Sequence, residues 1–158
     1  GIGQGFILTN CMQRAVMMAR VASNREVSPR LIKVDAKPTF PELGLQKKNI
    51  EYVFRGLEEV TRPGGTAAGS AINVGGKKMG GKTGTSQVRS ISKAERLSGV
   101  LTNEQLSWNM RNHGLFVGYA PTDKPKYAVC IVTEHSGGSG PAARTAAAVM
   151  RSLLKEEQ

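Results

Sequence analysis

Two strand signals joined by a short turn constrain this chain more than any other feature. They are "HGLFVGYA" (113–120) and "KYAVCIVTE" (126–134), separated by "PTDKP" (121–125). Val, Ile, Phe and Tyr suit a pleated, packed surface. A link of Pro, Thr, Asp and Lys is a turn, so the pair reads as an antiparallel hairpin. The second run is apolar almost throughout, which predicts a largely buried strand. "GKTGTSQVR" (81–89) has little helical periodicity. It is read as a third strand, with glycines where something must approach the backbone.

Helices flank this meander. Asn10 followed by Gln13 marks a capping box. Met12, Ala15, Val16, Ala19 and Ala22 then recur at helical spacing, so a first helix runs to near Ser23-Asn24. Pro29 favours an extended segment, "SPRLIKV" (28–34), and "KPTFPELG" (37–44) is loop. A second helix is predicted from about Gln46 to Val60, with Ile50, Val53, Phe54 and Leu57 as its apolar stripe. "RPGGTAAG" ends it. Residues 90–100 read as an exposed loop. Thr102 with Gln105 marks a second capping box, opening a short helix through Trp108 and Met110. After "GGSG", Pro141 takes a first helical position. Ala143, Ala146, Ala147, Met150, Leu153 and Leu154 complete an amphipathic last helix. The fold class is α+β, antiparallel strands packed against helices.

With 158 residues the chain reads as one domain, without an internal repeat or a dividing linker. A net charge of +10, from 22 Lys and Arg against 12 Asp and Glu, favours anionic partners in general. No basic run exceeds two residues, so the charge reads as a solvated surface, and no nucleic-acid partner is expected. Cys11 and Cys130 make neither a C-x-x-C nor a disulfide framework. His113 and His135 are the only histidines. No metal and no cofactor are expected. Cys130 reads as core, and Cys11 as a helix-start thiol without a visible partner. His113 and His135 read as hydrogen-bonded strand-end residues, and Trp108 as packing. No apolar run approaches the ~20 residues of a membrane span. The chain opens on Gly1 and reads as cut from something longer.

"GKKMGGKTGTSQV" (76–88) supports two chemistries. Its first eight residues satisfy the phosphate-loop pattern G-x-x-x-x-G-K-[ST], and it also contains the K-T-G triplet Lys82-Thr83-Gly84. A phosphate loop needs a buried parallel strand before it and a helix starting at its Lys-Thr end. "SAINVGG" is too short and polar for the first, and "TGTSQVRSIS" opposes helix initiation. On a strand, by contrast, Lys82 is a fixed cation for a carboxylate. Thr hydroxyls beside it donate to the same oxygens, and Gly84 lets a substrate backbone approach.

Five blocks in order resemble the C-terminal part of class B penicillin-binding proteins, most closely the penicillin-binding protein 2 group. They are "GIGQG" with the helix start "TNCMQRA", "GLEEVTRPGGTA", "GKTGTSQV", "RNHGLFVGYAPTDKPKYAVCIVTEH" and "GGSGPAA". One departure is local: the family's Thr-Pro at the helix start is Asn10-Cys11 here. The resemblance implies the C-terminal portion of the serine β-lactamase and penicillin-binding transpeptidase fold, with residues 1–158 a subregion incomplete on its N-terminal side. It implies a peptidoglycan D,D-transpeptidase that cross-links stem peptides through a serine acyl-enzyme and binds β-lactam antibiotics. It also implies a place on the periplasmic face of the bacterial inner membrane, with elongation-complex membrane proteins as partners.

By the same resemblance Lys82 and Thr85 are catalytic, and Lys82, Thr83, Gly84 and Thr85 bind substrate. Lys82 would hold the stem-peptide carboxylate and tune a serine of the second motif. The Thr85 N–H would be one of two oxyanion donors. The family's S-x-x-K and S-x-N motifs lie upstream of "GIGQG" and are not in this sequence. "SISK" (Ser90–Lys93), "SLLK" (Ser152–Lys155) and "SWN" (Ser107–Asn109) satisfy those patterns but follow the K-T-G, reversing the family order. They are read as decoys, so the chain is expected to be inactive alone. Missing neighbours would expose a sheet edge and apolar surface, from which self-association or marginal stability is expected. The alternative readings are a non-catalytic module for anionic polymers and a phosphate-loop nucleotide-binding protein.

Overall fold

The computed structural model describes residues 7–32, 35–36 and 38–156. The "GIGQG" block lies outside the described residues, as do Lys33 and Val34 of the extended run. An antiparallel sheet of β1 (Gly80–Ser86), β2 (His113–Ala120) and β3 (Tyr127–Thr133) organises the molecule, in the order β1-β2-β3. The hairpin has Phe116 opposite Ile131 and Gly118 opposite Val129. β1 adds to its other side, with Lys82 opposite Val117 and Thr85 opposite Gly114. β3 is half-buried at every position, not largely buried as its apolar run predicts. It is an edge strand, so one flank has no strand against it among the described residues.

Four α-helices surround the sheet among the described residues: α1 (Cys11–Ser23), α2 (Lys47–Glu59), α3 (Lys93–Ser98) and α4 (Gly140–Lys155). At α1 the capping box forms. The Gln13 N–H donates to Asn10 Oδ1, and the Asn10 N–H donates to Gln13 Oε1, both at 2.9 Å. The helix ends at Asn24 in the left-handed conformation, φ 52°, which Asn tolerates well. Pro141 stands in the first turn of α4 as expected.

Strand alternation divides the helices between the two faces of the sheet. Phe116, Val129 and Ile131 face one way, into a core with Met79 and Ala120. α4 closes that core with Ala142, Ala143, Ala146, Ala147, Met150 and Leu154, all buried. Four alanines let the helix sit close, and burying Phe116, Met150 and Leu154 contributes about 1.5–3 kcal/mol each. Tyr119 and Cys130 face the other way. The Tyr119 ring meets Phe54 of α2 at 5.8 Å, and Cys130 is on the side of β3 against which α1 packs. The stripe on α2 is only partly covered, with Val53 left exposed.

Two local expectations are corrected. Residues 90–100 are exposed but not all loop, because Ser92 caps α3 by accepting from the Glu95 N–H at 3.1 Å. The spacing Ser92-x-x-Glu95 is itself a capping signature. Residues 102–110 form no continuous helix. The Thr102 N–H does donate to Gln105 Oε1 (2.8 Å), but only a turn follows, then one 3-10 turn at Trp108–Met110. The side chain of Asn103 is spent elsewhere: it accepts from the Asn112 N–H and donates to the Gly137 carbonyl. Those bonds hold the segment down as loop.

Candidate active site on the edge strand β1

β1 changes character along its length. Gly80 and Gly81 are buried, while Lys82 and Thr85 are exposed. A Cβ on Gly81 would lie 2.5 Å from both the Phe116 ring and the Val117 carbonyl. A Cβ on Gly80 would lie 3.0 Å from the Tyr119 ring. These two glycines let the strand enter the core beneath two aromatic side chains. Thr61, buried, ties down the residue before them by donating to the Met79 carbonyl at 2.7 Å. Gly84 is different. A Cβ there would meet only Leu115, at 3.4 Å, an ordinary contact.

The register decides which backbone groups the strand offers. At Gly114 both backbone groups turn toward the β3 side. Its N–H donates to Ser136 Oγ (3.1 Å), and its carbonyl accepts from Thr133 Oγ1 (3.3 Å). Its partner in β1 is Thr85, so those two residues form a non-hydrogen-bonded pair. The N–H and C=O of Thr85 therefore point to the edge of β1 that has no strand against it among the described residues. Thr83, two residues back, has the same orientation. Consistently, the exposed Lys82 ammonium reaches the Thr83 carbonyl at 2.8 Å.

The hydroxyl of Thr83 lies 2.9 Å from that of Thr66. Thr66 comes from the "RPGGTA" turn, whose Gly65 N–H donates to Arg62 O and whose Ala67 N–H donates to Val60 O. A Cβ on Gly65 would stand 2.2 Å from the Glu59 carbonyl, so the turn admits only glycine. Sequence reasoning assigned no role to Thr66. The signal was present, because "GLEEVTRPGGTA" and "GKTGTSQV" are two of the five matching blocks.

Beyond the far end of β1, Arg89 and Glu95 form a bidentate ion pair, with Nη1 to Oε2 at 2.7 Å. The Arg89 hydrogen bond holds the Glu95 carboxyl below its ordinary range, and the Leu101 N–H adds to this. His113 sits opposite Ser86. Its Nδ1 accepts from the His135 N–H at 2.9 Å, and the two rings meet at 4.5 Å. Trp108 packs on His135 at 4.6 Å while staying largely exposed. Both histidines are hydrogen-bonded near strand ends, as their sequence positions imply.

The phosphate-loop geometry is not formed. Lys82 and Thr83 lie inside β1, and no helix starts there. Gly76 belongs instead to a turn in which its N–H donates to Asn73 Oδ1. The three serine patterns stand apart from the triplet. Ser90 is exposed ahead of α3, and Ser152 and Lys155 are exposed on the last turns of α4. Ser107 donates to Asn109 Oδ1 within its own motif, at 2.8 Å.

A small antiparallel sheet with helices on both faces, carrying K-T-G on an open edge, has the parts of a penicillin-binding transpeptidase fold. The family model described as penicillin binding protein transpeptidase domain matches residues 1–155, and the chain belongs to that family. A peptidoglycan D,D-transpeptidase MrdA from Haemophilus influenzae is 28% identical over 99% of this chain and 25% of its own length. The Acinetobacter baumannii protein of the same name is 42% identical over 44% of this chain and 10% of its own length. The chain thus spans a quarter or less of the curated relatives it matches. Among solved structures, Pseudomonas aeruginosa PBP2 in complex with WCK 5153 is 28% identical with a TM-score of 0.73, over 96% of this chain and 32% of that one. Helicobacter pylori PBP2, solved in complex with MreC, shares the fold at the same TM-score of 0.73 and 24% identity, over 98% of this chain and 26% of that one. The chain therefore corresponds to a piece of a PBP2-type transpeptidase domain.

Proposed function

We propose that residues 1–158 are the C-terminal subregion of a peptidoglycan D,D-transpeptidase and that β1 is the wall on which its substrate lies. The observation that carries this is the free edge of β1. It joins an exposed ammonium, two threonines and two outward-turned backbone positions to a strand end anchored in the core. Lys82 binds the C-terminal carboxylate of a stem peptide, with the Thr83 and Thr85 hydroxyls completing the grip. Thr66 orients Thr83 through their shared hydrogen bond. Gly84 keeps the edge low enough for an extended peptide to pair along it. The Thr85 N–H supplies one oxyanion donor, and removing one such donor costs on the order of 10²–10³ in rate.

The attacking serine and its base come from the S-x-x-K motif that the family carries upstream of this region. The complete protein forms a serine acyl-enzyme with the stem peptide, transfers the acyl group to a second strand's amine, and is acylated by β-lactams at the same serine. It works at the periplasmic face of the inner membrane with elongation-complex partners. No helix among the described residues is long and apolar enough to cross a membrane. Among the described residues no strand pairs with the outer edges of β1 and β3, and such edges favour self-association of the isolated chain.

Two measurements test this reading. Fluorescent penicillin should leave the 158-residue chain unlabelled, and labelling at Ser90, Ser107 or Ser152 would defeat it. An NMR titration with a peptide ending in D-alanyl-D-alanine should move the Lys82–Thr85 amides and lose that response in Lys82→Ala. Shifts confined to another surface, or a matching response to Mg-ATP, would point to a different function.

A further inference from the structure

The two outer edges of the sheet are built differently. β1 reads "GGKTGTS", rich in glycine and carrying a lysine. β3 reads "YAVCIVT", with no charge, no Gly and no Pro. An uncharged, β-branched edge is a template for another strand. α1 and α4 pack against β3, and no strand lies along its outer edge among the described residues.

The register shows which groups β3 offers there. Gly114 turns its N–H and C=O toward β3, and Thr133 stands opposite it. At the other end of β2 the Ala120 carbonyl also faces β3, accepting from the Lys126 N–H at 3.0 Å. Backbone direction alternates along a strand. Tyr127, Val129, Ile131 and Thr133 therefore bond toward β2, while Ala128, Cys130 and Val132 turn their N–H and C=O outward. Cys130 is the midpoint of β3. A second β3 laid antiparallel, with the two Cys130 residues opposite each other, sets Ala128 of one copy against Val132 of the other. Every outward group then meets an outward group, giving about six backbone hydrogen bonds across the seam. A slip of one residue would set outward groups against inward ones. In the same register Lys126, just before the strand, meets Glu134 of the other copy, just after it. Both residues are exposed, and two-fold symmetry makes the pair at each end of the seam.

We propose that the outer edge of β3 is a pairing surface for a second copy of this chain. The seam is antiparallel, centred on Cys130 and closed at both ends by Lys126 and Glu134. The contact is self-complementary, so it closes at two copies. It joins two sheets into one and leaves each β1 at an outer end, open to a ligand. One strand per copy makes a seam smaller than a standard interface, so the dimer is reversible. The pairing stands independently of the reading of β1 as a substrate wall.

The test is sedimentation equilibrium of the 158-residue chain over a concentration series, with amide hydrogen exchange on the same samples. The expected result is a monomer that becomes a dimer as concentration rises, with protection of the Ala128, Cys130 and Val132 amides rising in step. Ala128→Pro removes an outward N–H and leaves the β2 ladder intact, so it should stay monomeric. Lys126→Glu should weaken the dimer about tenfold, and adding Glu134→Lys should restore it. Those two residues are on the surface, so the charge exchange decides the matter if the proline variant fails to fold. A monomer up to about 0.5 mM, where even a weak interface forms, would overturn the proposal. So would a folded Ala128→Pro chain that still dimerises, a charge exchange without rescue, or concentration-dependent protection at Thr83 and Thr85 instead. Protection of the β3 amides that is the same at every concentration would assign the edge to another part of the same chain and overturn it too.

Discussion

The two halves of β1 use the same residue type for opposite purposes. At Gly80 and Gly81 the missing side chain is filled by Tyr119, Phe116 and the Val117 carbonyl. At Gly84 the missing side chain leaves space on the outer part of the strand, with only Leu115 at ordinary distance. The first half is glycine because the core leaves no room. The second is glycine although the fold has room for more. A position that the fold could fill but leaves bare is where a ligand backbone can approach. The comparison separates the part of "GGKTGT" that builds the protein from the part that would do its work.

Substitutions along the strand can break that distinction. Gly81→Ala has the largest expected effect. Overpacking against Phe116 and the Val117 carbonyl should cost about 3 kcal/mol, read as a lower midpoint in urea unfolding. An unchanged midpoint would mean that the two halves do not differ. Lys82→Ala should leave that midpoint within about 0.5 kcal/mol. In the complete protein it should slow β-lactam acylation about 10–100-fold, the worth of a hydrogen bond to a charged group.

Gly84→Ala sharpens the contrast. It should hold or raise stability by about 0.5 kcal/mol while weakening the D-alanyl-D-alanine peptide response at Lys82–Thr85. If Gly84→Ala instead unfolds the chain, both halves are structural. The smallest effect lies beyond the strand. The lowered Glu95 carboxyl stabilises the fold fully above its ordinary value of 4.5, and that contribution fades as pH falls through the lowered folded-state value. Stability profiles of wild type and Glu95→Gln should therefore differ at neutral pH and converge in acid.

Much of the fold was legible because it is written in local patterns. The hairpin, the Asn10–Gln13 box, Pro141 at the start of α4 and the alanine stripe all depend on neighbours a few residues apart. The errors came where distant groups intervened. Asn103 reads as part of a helix start until its side chain is seen bonded to Asn112 and Gly137. β3 reads as buried from its composition, and only the strand order shows it to be an edge. The α3 helix is the exception, since Ser92 and Glu95 carried its capping signal in plain sight.

The same division runs through the candidate site. The sequence by itself determined that Lys82, Thr83, Gly84 and Thr85 lie on a strand, because Gly and β-branched residues after Lys82 oppose a helix. It also determined the order of the blocks that link the chain to its family. Only the tertiary structure decided that Gly81 is a packing residue and Gly84 an open one. It also decided that Thr85 turns its N–H outward and that Thr66 meets Thr83. The physical reason is that a strand's period fixes which residues alternate but not which face or edge each set occupies. Pairing with β2 sets the edge, the helices set the face, and both are contacts between residues far apart in the chain.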